Sequence, residues 1–248
     1  MITAIKTLLQ KAGSFVSEKD AEKAYDIWSL TYDTQPGNLM LDLDEAVFGA
    51  LIKDINLENK MVADIGCGTG RHWQKIYDKK PDIVMGFDIS EGMLLQLKRK
   101  FPGAVTQRTT DNLLKTVPDS SIDFLFTTLT IAHIKDIEEA IFSWSRILKK
   151  EGDLVITDFH PAMLNQGGKR SFRHNGKSLT VVNYVHPLEK VKMLFQQNEL
   201  TVVQEEERKV NEKVRPYYEA QNALPVYERY KNMPIIYGLH LKKQRAAE

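Results

Sequence analysis

Apolar residues follow two alternating rhythms through the first two thirds of the chain. Short runs rich in β-branched and aromatic residues fall at Met61–Ile65, Ile83–Asp88, Ala104–Gln107, Ile122–Thr128 and Asp153–Phe159, and read as buried strands. Between them, helical spacing predicts helices over Gly70–Asp78, Glu91–Lys100 and Ile137–Lys149. The last runs into Lys149-Lys150-Glu151-Gly152, where basic residues suit the carboxyl end of a helix dipole and Gly152 stops the helix. Strand and helix in regular turn are the signature of βαβ units stacked around a parallel sheet. After Phe159 the rhythm changes. Residues Lys169 to Val185 alternate about Asn175-Gly176, a hairpin turn signal, which predicts an antiparallel insertion. A helix over His186–Asn198 and a long strand over Leu200–Val214 follow. The chain closes with a segment punctuated by Pro216, Pro225 and Pro234 and a last apolar strand, Ile235–Leu241. At the other end, Ile2, Ile5, Leu8 and Leu9 predict a short amphipathic helix over Met1–Gln10 rather than a cleaved leader.

No repeat or low-complexity linker interrupts this order, and 248 residues suit one large domain. The division we expect is a helical extension, residues 1–58, and an α/β domain, residues 59–248, with the hairpin inserted at about 161–185. Composition then removes function classes. Lys and Arg number 34 against 33 Asp and Glu, a net charge of +1, which argues against a dedicated nucleic-acid binder. Cys67 is the only cysteine, so neither an intrachain disulfide nor a multi-cysteine zinc site can form, and a reducing, cytoplasmic setting fits best. No run approaches the ~18 apolar residues of a membrane-spanning helix.

The candidate chemistry starts where the strand Met61–Ile65 breaks into Gly66, Gly68 and Gly70 just before a helix. Glycines belong where the backbone takes positive φ and a ligand must approach it without a Cβ in the way. A dinucleotide loop spaces its third glycine one residue later, where this chain has Arg71. The next strand ends in Gly86-Phe87-Asp88. A carboxylate there has two acceptor oxygens for both hydroxyls of an unphosphorylated ribose, and its alternative is a helix cap for Glu91.

Three stretches in order, Asp64 to Gly70, Phe87 to Leu94 and Arg146 to Gly152, resemble the successive signatures of class I S-adenosylmethionine-dependent methyltransferases. The likeness is nearest to the ubiquinone/menaquinone group and runs from about Tyr25 to Asp158. It implies a Rossmann-like fold, with a seven-stranded, mostly parallel sheet, an antiparallel last strand and helices on both faces. The inserted hairpin would follow the fifth strand. It also implies S-adenosylmethionine as cofactor, with S-adenosylhomocysteine as product. The glycines and Cys67 would pass under its methionine part, Asp64 would orient the loop and the amino group, and Asp88 would take the ribose. Ile89 and Met93 would sandwich adenine, and Asp111-Asn112-Leu113 falls where the family meets the adenine amino group, although the usual Leu-Pro after it is replaced by Leu114-Lys115. Thr128 and Leu129 would line the sulfonium side.

Methyl transfer is an in-line displacement, so the protein aligns acceptor, methyl and sulfur and excludes water. An oxygen or nitrogen acceptor also needs a base, and His133 and His160 lie at the expected carboxyl edge of the sheet, as bases or as hydrogen-bonded structural residues. The segment Tyr25-Asp26 to Tyr32-Asp33 puts both tyrosines on one helical face. It is either a lid whose rings meet the sulfonium by cation–π attraction, with Trp28 toward the acceptor, or a plain amphipathic helix packed on the sheet. Residues 161–185 carry Lys169, Arg170, Arg173 and Lys177 and no acid between Pro161 and Val185. This suits an anionic acceptor met by Arg170, Arg173 and Tyr184, or equally a solvated hairpin edge. The expected partner is a small-molecule acceptor, with the chain a monomer or homodimer and no metal. A nicotinamide-dependent oxidoreductase and a non-catalytic cofactor binder are the alternatives.

Overall fold

The computed structural model describes residues 17–34 and 37–245, so the helix expected over Met1–Gln10 lies outside the described residues. The first described segment holds β1 (Ser17–Lys19), α1 (Ala21–Trp28) and α2 (Leu39–Ile52). Alternation follows: β2 (Met61–Ile65), α3 (Trp73–Tyr77), β3 (Ile83–Asp88), α4 (Glu91–Lys100), β4 (Val105–Arg108), β5 (Ile122–Thr128), α5 (Ile137–Ile147) and β6 (Leu148–Phe159). Then come α6 (Pro161–Asn165), the hairpin strands β7 (Ser171–His174) and β8 (Lys177–Val181), α7 (Leu188–Gln197) and β9 (Leu200–Lys209). Helices α8 (Arg215–Glu219) and α9 (Leu224–Tyr230) and the closing strand β10 (Pro234–Lys243) complete the chain.

Seven strands form one sheet in the order β4-β3-β2-β5-β6-β10-β9, parallel except for β10, which runs antiparallel to both neighbours. Successive residues of a strand point to opposite faces, so Val62 and Ala63, or Phe124 and Leu125, feed two separate cores. One face packs against α2, through Val47, Phe48 and Leu51, and against α3 and α4 through Trp73, Ile76 and Leu97. The other packs against α5 and α7 through Ile141, Trp144 and Phe195. Pro161, Pro216 and Pro225 each stand in the first turn of a short helix, where a missing N–H costs nothing.

Three features differ from expectation. The helix expected to reach Lys149 ends at Ile147, and β6 begins at once. Its pairing jumps from Ile122 with Leu148 to Phe124 with Asp153, so Lys149 to Gly152 bulge outward and Lys149 Nζ bonds Asp123 Oδ2 at 2.8 Å instead of facing a helix end. The strand after Leu200 ends at Lys209, because Val210 and Val214 turn inward to the core. Finally, β1 pairs in parallel with β8, giving a second, three-stranded sheet β1-β8-β7. Helix α1 packs on this small sheet and on Met93 of α4, not on the main sheet: Trp28 stacks on Phe172 with ring centroids 4.4 Å apart. The N-terminal region is thus split between α1, which joins the insertion, and α2, which belongs to the main core.

Candidate active site

Loop and acid come together at the carboxyl edge of β2 and β3. Gly68 donates its N–H to Asp88 Oδ2 at 2.7 Å, and Ser90 donates to Asp88 Oδ1 at 2.8 Å. Asp88 is therefore clamped between the glycine loop and the start of α4. Burial pushes its carboxyl up to about 6 even though these backbone donors pull the other way. Asp64, buried under the loop, accepts from Trp73 Nε1 at 2.8 Å through Oδ2, while its Oδ1 has no partner among the described residues. Burial holds this carboxyl well above the usual range. Gly68 has φ +51° and open space where a Cβ would stand, whereas a Cβ on Gly66 would collide with Thr130. Gly70 packs against Trp73 and Leu97, so it closes helix on strand and does not face the ligand side.

A cavity of about 250 Å³ opens above the loop. Gly66, Gly68, Asp88, Ile89, Met93, Asp111, Asn112, Thr128 and Leu129 line it from the sheet side, and Tyr25, Tyr32, His133 and Arg170 line it from the side of α1 and the insertion. Cys67 and Asp64 border a smaller recess of about 30 Å³ beneath the loop, beside Arg71. Phe87, from the second of the three stretches, also lines the main cavity, as do Thr109, Thr110, Thr130 and Ile134, to which the sequence assigns no role. Leu129 holds φ +52°, an uncommon conformation for a branched side chain, at the end of β5.

Helix α1, which ends at Trp28, and the turn after it that carries Tyr32 are fastened over this cavity by two aspartates. Asp26 Oδ1 accepts from Ser90 Oγ at 2.6 Å and from Gly92 N–H at 2.9 Å, at the start of α4. Asp33 Oδ1 accepts from Thr69 Oγ1 at 2.7 Å, on the glycine loop itself. Each Tyr-Asp pair therefore divides its work: the tyrosine faces the cavity and the aspartate anchors the segment.

Tyr25 Oη lies 2.9 Å from His133 Nε2, and His133 Nδ1 lies 2.9 Å from the Val182 carbonyl. A carbonyl only accepts, so Nδ1 carries the proton and Nε2 is an acceptor, to which Tyr25 donates. Burial, with the charge of Arg170 as second cause, lowers His133 to about 4, so its imidazole is neutral at physiological pH. Burial raises the Tyr25 hydroxyl above its ordinary range, so the phenol keeps its proton at rest.

Other expected residues stand elsewhere. His160 ends β6 as expected but turns from the cavity: Nδ1 accepts from Ala162 N–H at 3.2 Å, capping α6, and Nε2 sits 3.4 Å from Glu207. It is engaged structurally, and it does not line the cavity. Trp28 is buried behind Tyr25 and Tyr32, Arg173 is exposed on the hairpin, and Tyr184 contributes its N–H to the Ala132 carbonyl at 2.7 Å. None of these three lines the cavity, and neither does Leu113, whose carbonyl accepts from Arg146 Nη2 at 3.1 Å.

Residues 63–156, from the middle of β2 to β6, match a family model described as a methyltransferase domain. Over that stretch the chain carries a methyltransferase domain, on a fold shared with solved S-adenosylmethionine-dependent methyltransferases. Among curated proteins this chain is similar to the biotin biosynthesis bifunctional protein BioHC of Cellvibrio japonicus, 26% identical over 188 residues, which cover 75% of this chain and 35% of that one. It is also similar to the ubiquinone/menaquinone biosynthesis C-methyltransferase UbiE of Campylobacter jejuni, 32% identical over 105 residues, covering 40% and 44%. The chain thus spans less than half the length of these curated relatives. Its fold is shared with a phosphoethanolamine N-methyltransferase 2 of Haemonchus contortus, solved with phosphomonomethylethanolamine and S-adenosylhomocysteine. The TM-score is 0.60 at 15% identity, covering 88% of this chain and 57% of that one. The donor set fits such a cofactor chemically. Asp64 Oδ1 is an unpartnered buried acceptor suited to an amino group, Gly68 leaves room for close approach, and Asp88 retains lone pairs for two hydroxyls. No helix among the described residues is long and apolar enough to cross a membrane.

Proposed function

We propose that this methyltransferase moves a methyl group from S-adenosylmethionine to an oxygen or nitrogen atom of a small molecule. The observation that carries the reading is that one cavity joins the Gly68–Asp88 clamp to the Tyr25–His133 pair. When bound, the cofactor supplies an activated methyl and its own leaving group, so the chain needs no nucleophile. Asp88 and Asp64 would hold its ribose and amino group, Ile89 and Met93 would flank its base near Asp111 and Asn112, and α1 would exclude water.

An acceptor hydroxyl or ammonium must lose a proton. Tyr25 Oη still has a free lone pair, and we assign it to that proton. As the acceptor's proton arrives at Oη, the phenol's own proton passes along the existing hydrogen bond to His133 Nε2, leaving a neutral tyrosine and an imidazolium whose Nδ1–H stays on Val182. The relatives' names include both a C- and an N-methyltransferase, so this proton path, not the comparisons, favours a heteroatom. A cytoplasmic setting is proposed on the single buried thiol, Cys67. Incubation with isotope-labelled cofactor and the small-molecule fraction of a cell extract tests the reading. A metabolite gaining one labelled methyl on oxygen or nitrogen supports it, and a label found only on carbon contradicts the proton path.

The ribose assignment makes a separate prediction. Asp88→Ala should weaken S-adenosylhomocysteine by about 1.5–3 kcal/mol, roughly 10- to 150-fold, the worth of hydrogen bonds to a charged group. Because the Asp88 carboxyl is raised to about 6, it is ionised above that value and protonated below it. Its contribution to folding stability is full at low pH and is lost as pH rises through about 6, where an unpaired charge must be buried. Ligand hydroxyls supply donors to that charge. Calorimetry should therefore find affinity flat above about pH 7 and falling by up to about tenfold per unit below pH 6. Wild-type affinity in the variant, or affinity independent of pH, would overturn the assignment.

A further inference from the structure

The insertion delivers one cation to the interior. Arg170, immediately before β7, is 5% exposed, while the other hairpin cations are at the surface. A guanidinium is always charged and has five N–H donors, and burial of such a group calls for an anion. Two further guanidinium groups that are mostly covered have one each, Arg71 in Asp44 and Arg146 in Asp119. Among the described residues no carboxylate lies within ion-pair distance of Arg170. Its hydrogen-bond partners are neutral: the Tyr32 hydroxyl, 2.7 Å from Nη2, and the Leu129 carbonyl, 3.5 Å from Nη1, while the buried Asp158 carboxyl acts on it only from beyond ion-pair distance. The faces of Tyr25 and Trp28 stand 5.5 Å from its central carbon. Most of its donors thus have no partner among the described residues, in the wall of the same cavity that holds Tyr25 and His133.

We infer that Arg170 is the anion-recognition residue of the acceptor pocket, and that the methyl acceptor is a small molecule bearing a carboxylate or phosphate group. The inference rests on the reading of this cavity as the cofactor and acceptor site. On that reading the sulfonium lies at the Thr128–Leu129 end, where Arg170 already presents a positive charge, and two cations in one water-poor space repel unless an anion stands between them. A carboxylate or phosphate matches the planar fork of a guanidinium, which lysine does not. The rival source of an anion is the cofactor's own carboxylate. The recess beside Asp64 and Arg71 offers that carboxylate a different place, and the two sources give different results.

Wild-type protein saturated with S-adenosylhomocysteine is titrated calorimetrically with inorganic phosphate and with malonate, alongside Arg170→Met, Arg170→Lys and the exposed control Lys177→Met. The wild type and the control should bind at least one anion at a single site. Arg170→Met should bind it at least about tenfold more weakly and Arg170→Lys should fall between, while the affinity of Arg170→Met for S-adenosylhomocysteine stays within about threefold. Equal anion binding by wild type and Arg170→Met, or no binding of either anion by wild type, overturns the inference. So does a loss of S-adenosylhomocysteine affinity above about tenfold in Arg170→Met with anions competing against it, which assigns the guanidinium to the cofactor carboxylate. If Arg170→Met does not fold by circular dichroism, Arg170→Lys decides. The same titration without S-adenosylhomocysteine separates the two readings, since failure of the cofactor reading appears as wild-type protein that does not bind that compound at all.

Discussion

Replacing Gly68 by valine should reduce S-adenosylhomocysteine binding by at least about a hundredfold while the fold survives. The backbone there sits at φ +51°, where a β-branched residue is strained by about 1–2 kcal/mol, a cost a large domain tolerates. Beyond its two chain neighbours, no atom of the described residues lies within 4 Å of the position a Cβ would take, so the new side chain meets the space open to a ligand. Its branches would occupy the approach to Asp88, to which the Gly68 N–H is bonded. Gly66 is a poorer probe, because a side chain there strikes Thr130 and disturbs the loop itself. Circular dichroism should match wild type, and calorimetry should find no binding at micromolar protein. Binding retained within about tenfold would mean that the loop does not face the ligand.

Tyr25→Phe and His133→Ala should each lower kcat by about 10²–10⁴, the usual worth of a positioned proton acceptor, with S-adenosylhomocysteine affinity changed by less than about threefold. Because the two act through one hydrogen bond, the double variant should be little worse than the weaker single one. The pH profile gives a second readout. His133 is held near 4 by burial, so its imidazole stays an acceptor through the mildly acid range, and the acid limb of kcat should fall well below the ordinary histidine value of ~6.5. Parent rates in both single variants would clear the pair of any part in proton transfer.

The centre of the fold was legible because its strands are buried on both faces and show as uninterrupted apolar runs. Met61–Ile65, Ile83–Asp88 and Ile122–Thr128 have the bounds expected of them. Ser17–Lys19 was not legible: three polar residues on an exposed strand carry no hydrophobic period, and only their pairing with β8 makes them a strand. The carboxyl end of α5 was misread for a related reason, since Lys149 has the composition of a helix terminus but is drawn off by Asp123, distant in sequence. At the site, Gly68 and Asp88 could be found because loop chemistry is local. His133 and His160 looked alike, each at the end of a strand, and only the orientation of the two rings separates one in the cavity wall from one capping α6. Arg170 and Arg173 are equally indistinct in sequence, and only the structure separates Arg170, buried just before β7, from Arg173, exposed within it. The anchoring roles of Asp26 and Asp33 depend on contacts with Ser90 and Thr69, dozens of residues away.

The central claim is that the crevice beside Gly66–Gly70 holds an adenosyl group whose ribose is unphosphorylated and whose tail is methionine. Equilibrium titration of the intact chain with S-adenosylhomocysteine and, separately, with NAD tests it most directly. The account predicts saturable one-site binding of S-adenosylhomocysteine, lost in Gly68→Val, with NAD failing to compete. NAD binding as tightly or more tightly, or no binding of S-adenosylhomocysteine by the folded wild-type protein, would contradict it.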